Sequence, residues 1–205
     1  MFTLTSSFDD DCFEYEDNII HVDMAFDNIL RLFEMFDDES LLEFEKIFIA
    51  LEMLLYEYDL VKKKSYEEQL ELFKFVMKEF LEIDLDSDKK EEGAPPKKFM
   101  DYKQDADLIF ASFFAVYKLD LFELQGKLHW KKFEALMTHL DDNSPFKQVI
   151  GYRTMTVPSE KEASKEYIAH VRKMKRVHAL KLDEEQQNND DALSSAFSAY
   201  KKGGK

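Results

Sequence analysis

The chain has little cysteine, glycine or proline, and these shortages exclude several fold classes and kinds of site. A single cysteine, Cys12, excludes an internal disulfide and any zinc site built from several cysteines. Five glycines and four prolines are too few for an all-β fold with many tight turns. The apolar run near Ile47–Leu55 is broken by Glu52 and is too short to span a bilayer. Because the N-terminus also lacks the features of a signal peptide, we expect a cytosolic protein with no membrane contact.

Basic residues are nearly missing from residues 1–60. This segment holds 17 acidic residues against Arg31 and Lys46, so its net charge of −15 equals that of the whole chain. Residues 159–182 have the opposite sign, with seven basic and three acidic residues. This asymmetry favours electrostatic docking, although an acidic body with one solvated basic helix explains it equally well. A chain this acidic repels phosphate, so the sequence predicts no nucleic-acid partner.

Apolar residues are plentiful and recur at helical spacing. They make up 45% of the chain and include 19 Phe, which is enough for a core. The sequence predicts a mainly α fold: a bundle of about six or seven helices, preceded by a small β-hairpin around Glu16–Asp17–Asn18. We divide the chain into an acidic segment 1–11, one helical domain 12–182 with a flexible loop 84–98, and a disordered tail 183–205.

Four cap signals predict helix starts. They are capping boxes at Ser40 with Glu43, Ser65 with Glu68 and Ser159 with Glu162, and a cap serine before a first-turn proline at Ser144–Pro145. The first box predicts a helix that runs to about Tyr58, and the last predicts a basic helix that ends near Leu182. Another helix is predicted to begin near Asp101, and Asp120 is predicted to cap a short turn.

No motif in the sequence predicts catalysis or metal binding. The acidic run from Asp84 begins like a calcium loop, but its sixth position is Lys89 and its twelfth is Pro95, where glycine and glutamate are needed. The five histidines lack the spacing of a metal site, and no phosphate loop, dinucleotide fingerprint or nucleophile elbow occurs. We therefore predict no catalytic residue, no metal and no cofactor.

Four sequence boxes carry a resemblance to a known family. They are D-x-D-L-I-x-A-S-F from Asp105, Y-x-x-D-L from Tyr117, L-H-W-x-K-F-x-A-L from Leu128, and F-x-x-V-I-x-Y-R ending at Arg153. Together with the upstream segment IIHVDMAFDNILRLFEMF, they resemble the gene-product-fifteen family of siphophages and prophages of Gram-positive bacteria. The resemblance covers roughly residues 13–176, and the L-H-W-x-K-F box is its most specific part.

The resemblance implies a role in phage tail assembly. The family is encoded between the tail tube and tape measure genes and is similar in position to tail assembly chaperones. It implies a non-enzymatic protein that binds the tape measure protein, and possibly the tail tube protein, in the host cytoplasm and is absent from the mature virion. The alternative is a structural tail component, such as a completion or connector protein, and an acidic DNA mimic or an enzyme is a third possibility.

The sequence also predicts which residues bind a partner and which are structural. The binding set is Arg172, Lys173 and Arg176 on the basic helix and Leu193, Phe197 and Tyr200 in the tail, which lie at i, i+4 and i+7. The family-box residues, predicted to be structural, are Leu128, His129, Trp130, Phe133 and Arg153. Self-association is a further expectation, since the acidic residues 1–60 have a charge opposite to that of a neighbour's basic helix. A contact between the same two segments within one chain explains these charges equally.

Overall fold

The computed structural model describes Thr5, Ser7 and residues 10–86 and 98–181. Within this part of the chain the mainly α prediction is confirmed, with a two-stranded hairpin followed by seven α-helices. Most of the predicted loop 84–98 and the whole predicted tail 183–205, including Leu193, Phe197 and Tyr200, lie outside the described residues. The elements are β1 Cys12–Tyr15, β2 Asn18–His21, α1 Phe26–Phe36, α2 Glu43–Leu54, a 3₁₀ turn Tyr58–Leu60, α3 Tyr66–Leu81, α4 Ala106–Tyr117, α5 Trp130–Thr138, α6 Pro145–Thr154 and α7 Lys165–Val177.

The described chain forms two compact units. Unit 1 contains the residues up to 86 together with 125–133, and unit 2 contains residues 98–124 and 134–181. Helix α5 therefore begins in unit 1 and continues in unit 2. The division of the sequence into one helical domain over 12–182 stays a prediction.

The predicted hairpin is present, with a shorter turn than expected. Strands β1 and β2 pair antiparallel, and Asn18 already belongs to β2, opposite Tyr15. The turn is thus Glu16–Asp17 alone, and both residues have positive φ, 47° and 63°. Positive φ at both central residues defines a type I′ turn, whose twist matches that of the flanking strands.

The core of unit 1 lies among α1, α2 and α3. Its fully buried side chains include Ile29, Leu32, Leu51, Leu54, Phe73 and Val76. Two polar side chains donate hydrogen bonds to carbonyls at the C-terminal ends of α1 and α2. The buried Lys46 ammonium on α2 donates to the Phe36 carbonyl at the end of α1, 2.8 Å away. Asn28 on α1 donates 2.8 Å to the Met53 carbonyl near the end of α2. Both bonds satisfy carbonyls that a helix leaves without an internal partner.

Two of the predicted caps need correction. Ser40 does not cap α2, because its hydroxyl donates to Asp38 Oδ1 at 2.7 Å and the helix begins only at Glu43. That helix also ends at Leu54, before the predicted Tyr58. The Ser159–Glu162 bond does form, at 2.7 Å. However, it closes a turn, since α7 begins at Lys165 after the cap Ser164 and ends at Val177, well before Leu182.

Two other predicted caps and one predicted turn are confirmed. Ser65 accepts the Glu68 N–H at the start of α3, and Ser144 accepts the Lys147 N–H before the first-turn Pro145 of α6. Asp120 Oδ1 accepts the Phe122 N–H at 2.9 Å. The helix expected from Asp101 begins later, at Ala106. Residues 101–105 form a turn in which the Asp101 carboxylate accepts the Gln104 N–H at 2.7 Å.

Unit 2 is organised around α4, α6 and α7. Its buried side chains include Ile109, Phe113, Phe146, Val149, Ile168 and Val171. The hydroxyl of fully buried Ser112 donates to the Leu108 carbonyl on α4 and accepts the Phe146 N–H of α6 at 3.0 Å. One side chain thereby joins the two helices and satisfies an N–H at the start of α6.

Candidate protein-binding surfaces

The L-H-W-x-K-F box attaches residues 125–133 to the rest of unit 1. The Phe26 N–H donates to the Leu128 carbonyl at 2.9 Å, and the Trp130 N–H donates to the Met24 carbonyl at 2.7 Å. These two bonds flank an isolated antiparallel bridge between Ala25 and His129. The box is thus a short strand-like pairing that leads directly into α5.

His129 caps α5 with its ring. Nδ1 accepts the Lys131 N–H at 3.0 Å, and Nε2 lies 2.7 Å from Asp11 Oδ2. Because Nδ1 is an acceptor here, the ring hydrogen that faces Asp11 is on Nε2. The imidazole is buried, and this pairing joins residues 118 positions apart in the sequence.

Trp130 and Phe133 are core residues of unit 1. The Trp130 indole stacks on Phe133 with ring centroids 5.6 Å apart and meets Phe33 edge-on at 5.7 Å. Phe133 also stacks on Phe26 at 5.0 Å. Trp130 is 3% exposed, and aromatic pairs at these distances add to its burial. The structure therefore places the family-box residues of this segment inside unit 1 and away from solvent.

Arg153 forms a bidentate ion pair with Asp105 inside unit 2. Its two terminal nitrogens each lie 2.7 Å from an oxygen of Asp105, whose side chain is 2% exposed. Its Nε donates to the His178 carbonyl at 2.6 Å, and Nη1 also donates to the Phe99 carbonyl at 3.1 Å. One guanidinium thus connects α6 with the residues before α4 and the end of α7, through charge-assisted bonds.

Tyr102 lies in the same turn as Asp101. Burial, together with the negative charge of Glu134, raises the pKa of the Tyr102 phenol to about 12. For Asp101, burial alone would raise the pKa of the carboxyl. The Gln104 N–H and the Lys98 ammonium, which donate to the carboxylate, outweigh burial and leave this pKa below its ordinary value.

The basic helix α7 divides its cations between two roles. Lys175 points inward, and its ammonium donates to the carbonyls of Tyr152, Arg153 and Met155 at 3.2, 2.9 and 2.6 Å. A cation at the C-terminus of a helix satisfies its last carbonyls and opposes the negative end of its dipole. Lys175 is therefore a structural cap of α6.

The three predicted binding cations of α7 do not share the inward position of Lys175. Arg172, Lys173 and Arg176 are all exposed. Among the described residues none of them forms an ion pair, so their charges are available to a partner. Whether they bind anything, and whether the protein self-associates through them, stay predictions.

Helix α4 and the turn that follows it expose an aromatic surface. Phe110, Phe114 and Phe122 form this α4 aromatic surface. Phe110 stacks on Phe114 with centroids 6.2 Å apart and contacts Phe122 at 5.4 Å. Phe114 is 53% exposed and Phe122 is 71% exposed. The sequence contained the signal, since α4 is apolar nearly all round with Asp107 as its one charge, and a helix of this kind needs partners on more than one face.

Two further features concern metal binding and membrane crossing in the residues that the structure describes. Within them, no group of three or more His, Cys, Asp or Glu side chains is arranged to hold a metal ion. Among the same residues, no helix has the length and apolar character needed to cross a membrane.

Together these features define a mainly α-helical protein with an N-terminal hairpin. Its sequence boxes contribute buried residues to the cores of both units, and α4 and α7 present exposed aromatic and cationic groups. The chain matches the family model described as Bacteriophage Gp15 protein over residues 8–180, and it belongs to that family. It is therefore a bacteriophage protein. The chain matched no curated protein and no solved structure.

Proposed function

We propose that this protein is a tail assembly chaperone. It binds the tape measure protein in the host cytoplasm while the tail is assembled, is absent from the mature virion, and carries out no catalysis. The observation that supports this role is the α4 aromatic surface, because its adjoining exposed phenylalanines form an apolar patch that a protein partner can cover. Amphipathic helices of a client can place their apolar faces on such a surface.

The exposed rings provide part of the apolar area that a bound client would cover. A phenylalanine buries about 200 Å² when it is fully covered, so the exposed fractions of Phe114 and Phe122 leave about 250 Å² for a client. At about 25 cal/mol per Å², covering this area contributes at most about 6 kcal/mol before the costs of association.

Co-expression with the tape measure protein of the same phage tests the proposal. We expect the wild-type chain to keep the client soluble and to co-purify with it. The double variant Phe114→Ser, Phe122→Ser should lose most of the bound client, while Phe44→Ser, which alters a Phe that is 48% exposed on α2 in unit 1, should retain it. If the wild-type chain never co-purifies with the client, the proposal is wrong.

Mass spectrometry of purified virions separates this role from that of a structural tail component. A chaperone that leaves before the tail is complete should be missing from the particles. Stoichiometric amounts of the protein in virions would instead favour a completion or connector protein.

A further inference from the structure

A groove lies in unit 1 between the hairpin and helix α3. Its volume is about 540 Å³, which is large enough for several side chains of a bound peptide. Its lining residues are Phe13, Glu14 and Tyr15 on β1 and Glu67, Glu68, Glu71, Leu72 and Phe75 on α3. The α3 residues follow each other at helical spacing, so they form one continuous face alongside the strand.

The floor of this α3 groove is apolar and aromatic. Phe13 and Phe75 meet edge-on with ring centroids 5.2 Å apart. Leu72 on α3 is buried, yet Phe75 on the same helix remains 42% exposed. A large side chain with this exposure, next to a buried one, leaves apolar area that a bound side chain can cover.

The rim of the groove is acidic, but its carboxylates differ in their availability. Glu68 is used internally, because its carboxylate accepts the Ser65 N–H and hydroxyl, which lowers the pKa of Glu68. Glu71 is 2.9 Å from the Lys74 ammonium. Glu14 and Glu67 are exposed and, within the described residues, form no ion pair.

We propose that the α3 groove binds a cationic amphipathic segment of a partner protein, with large apolar side chains on the floor and Lys or Arg side chains against Glu14 and Glu67. Charge complementarity selects this occupant, because an acidic or neutral apolar segment would leave both carboxylates desolvated without a partner. The inference rests on the proposed function only for the identity of the partner, and it concerns a site separate from the α4 aromatic surface.

Fluorescence anisotropy with a labelled synthetic peptide tests the groove on the full chain. The probe has roughly 14 residues, enough for about four helical turns, with Leu at i, i+4 and i+7 and Lys on the other face. A matched probe replaces every Lys by Glu. We expect the cationic probe to bind, with affinity that falls as salt rises, and the acidic probe not to bind.

Charge reversal locates the binding. The double variant Glu14→Lys, Glu67→Lys should weaken binding of the cationic probe by about tenfold or more. Glu79→Lys changes an exposed carboxylate on the same helix outside the groove, and it should leave the affinity within about twofold. Equal binding by the double variant, or equal weakening by Glu79→Lys, would overturn the proposal.

Two other occupants are distinguishable in the same assay. Binding that appears only after removal of residues 183–205 would assign the groove to the chain's own C-terminal segment. A dimer in sedimentation that Glu14→Lys, Glu67→Lys abolishes would assign it to a second copy, and either result overturns the proposal. Because the probe is synthetic, failure here leaves tape measure binding by the α4 aromatic surface untouched, and the reverse also holds.

Discussion

Removal of the Arg153 guanidinium should be among the most destabilising changes in unit 2. The variant Arg153→Met keeps an unbranched apolar stem but leaves the Asp105 carboxylate, which is 2% exposed, without its two 2.7 Å partners. The remaining described donor to that carboxylate is the Asp101 N–H at 3.0 Å. Two carbonyls, those of Phe99 and His178, lose their Arg153 donors as well.

The expected cost follows from these lost partners. Breaking a buried ion pair by removing one member costs about 3–5 kcal/mol, since the other charge stays buried and uncompensated. With an m-value of about 2 kcal/mol per M, a loss of about 4 kcal/mol lowers the urea midpoint by about 2 M. Arg153→Lys should also be costly, because an ammonium cannot make the bidentate pair and reach both carbonyls.

Urea denaturation followed by far-UV circular dichroism measures this effect. Fluorescence of Trp130, the chain's single tryptophan, is a second probe that reports on unit 1. The control is Lys78→Met, which removes a pair with Asp84 in which the two side chains are 60% and 41% exposed, and its cost should stay below about 1 kcal/mol. A loss below about 1 kcal/mol for Arg153→Met would refute the reasoning, because it would place this pair among surface ion pairs.

Four further changes test other parts of the structure. In urea denaturation, Ser65→Ala should lower the free energy of unfolding by about 1 kcal/mol, because Ser65 caps α3. Ser40→Ala should lower it by less than about 0.5 kcal/mol, because Ser40 binds Asp38 and caps no helix. A larger loss for Ser40→Ala than for Ser65→Ala would contradict this assignment of the caps. Asp17→Gly should increase the free energy of unfolding by about 1 kcal/mol and raise the thermal midpoint, because glycine adopts a φ of 63° without strain. A lower midpoint would contradict the type I′ turn. Trp130→Ala should cost about 3–5 kcal/mol, and a cost near zero would be inconsistent with its packing against Phe33 and Phe133. The pKa of Tyr102 is raised in the folded state, so the contribution of this phenol to stability is complete below about pH 10 and is lost as the pH rises toward 12. In the variant Tyr102→Phe, this loss of stability at high pH should disappear. An absorbance titration of the variant should also lack the tyrosinate that forms last in the wild-type chain.

Local signals predicted the elements well where nothing competed with them. The caps at Ser65 and Ser144 are formed by residues three positions apart, and the hairpin pairs residues at most nine positions apart, so the partners lie close together in the sequence. Ser40 failed because Asp38, two residues earlier, binds its hydroxyl. The Ser159 bond to Glu162 formed as predicted, but a local bond of this kind satisfies a turn as readily as a helix start.

Contacts between residues far apart in the chain could not be predicted from local sequence patterns. The His129–Asp11 contact spans 118 positions, and the Arg153–Asp105 pair spans 48. Both box arginine and box aspartate were visible in the sequence, but nothing in one sequence states that they meet. The α4 aromatic surface was missed for a related reason, since helical periodicity marks an apolar residue without saying whether a partner covers it.

The acidity of the chain is better understood residue by residue than as a net charge. Several acidic side chains hold their own unit together, as Asp11 does with His129 and Glu57 does with the His21 N–H at 2.7 Å. Such carboxylates are already paired and attract a partner weakly. Binding at the α3 groove therefore depends on the few that remain available, and this is why reversing two rim charges should matter more than reversing Glu79 on the same helix.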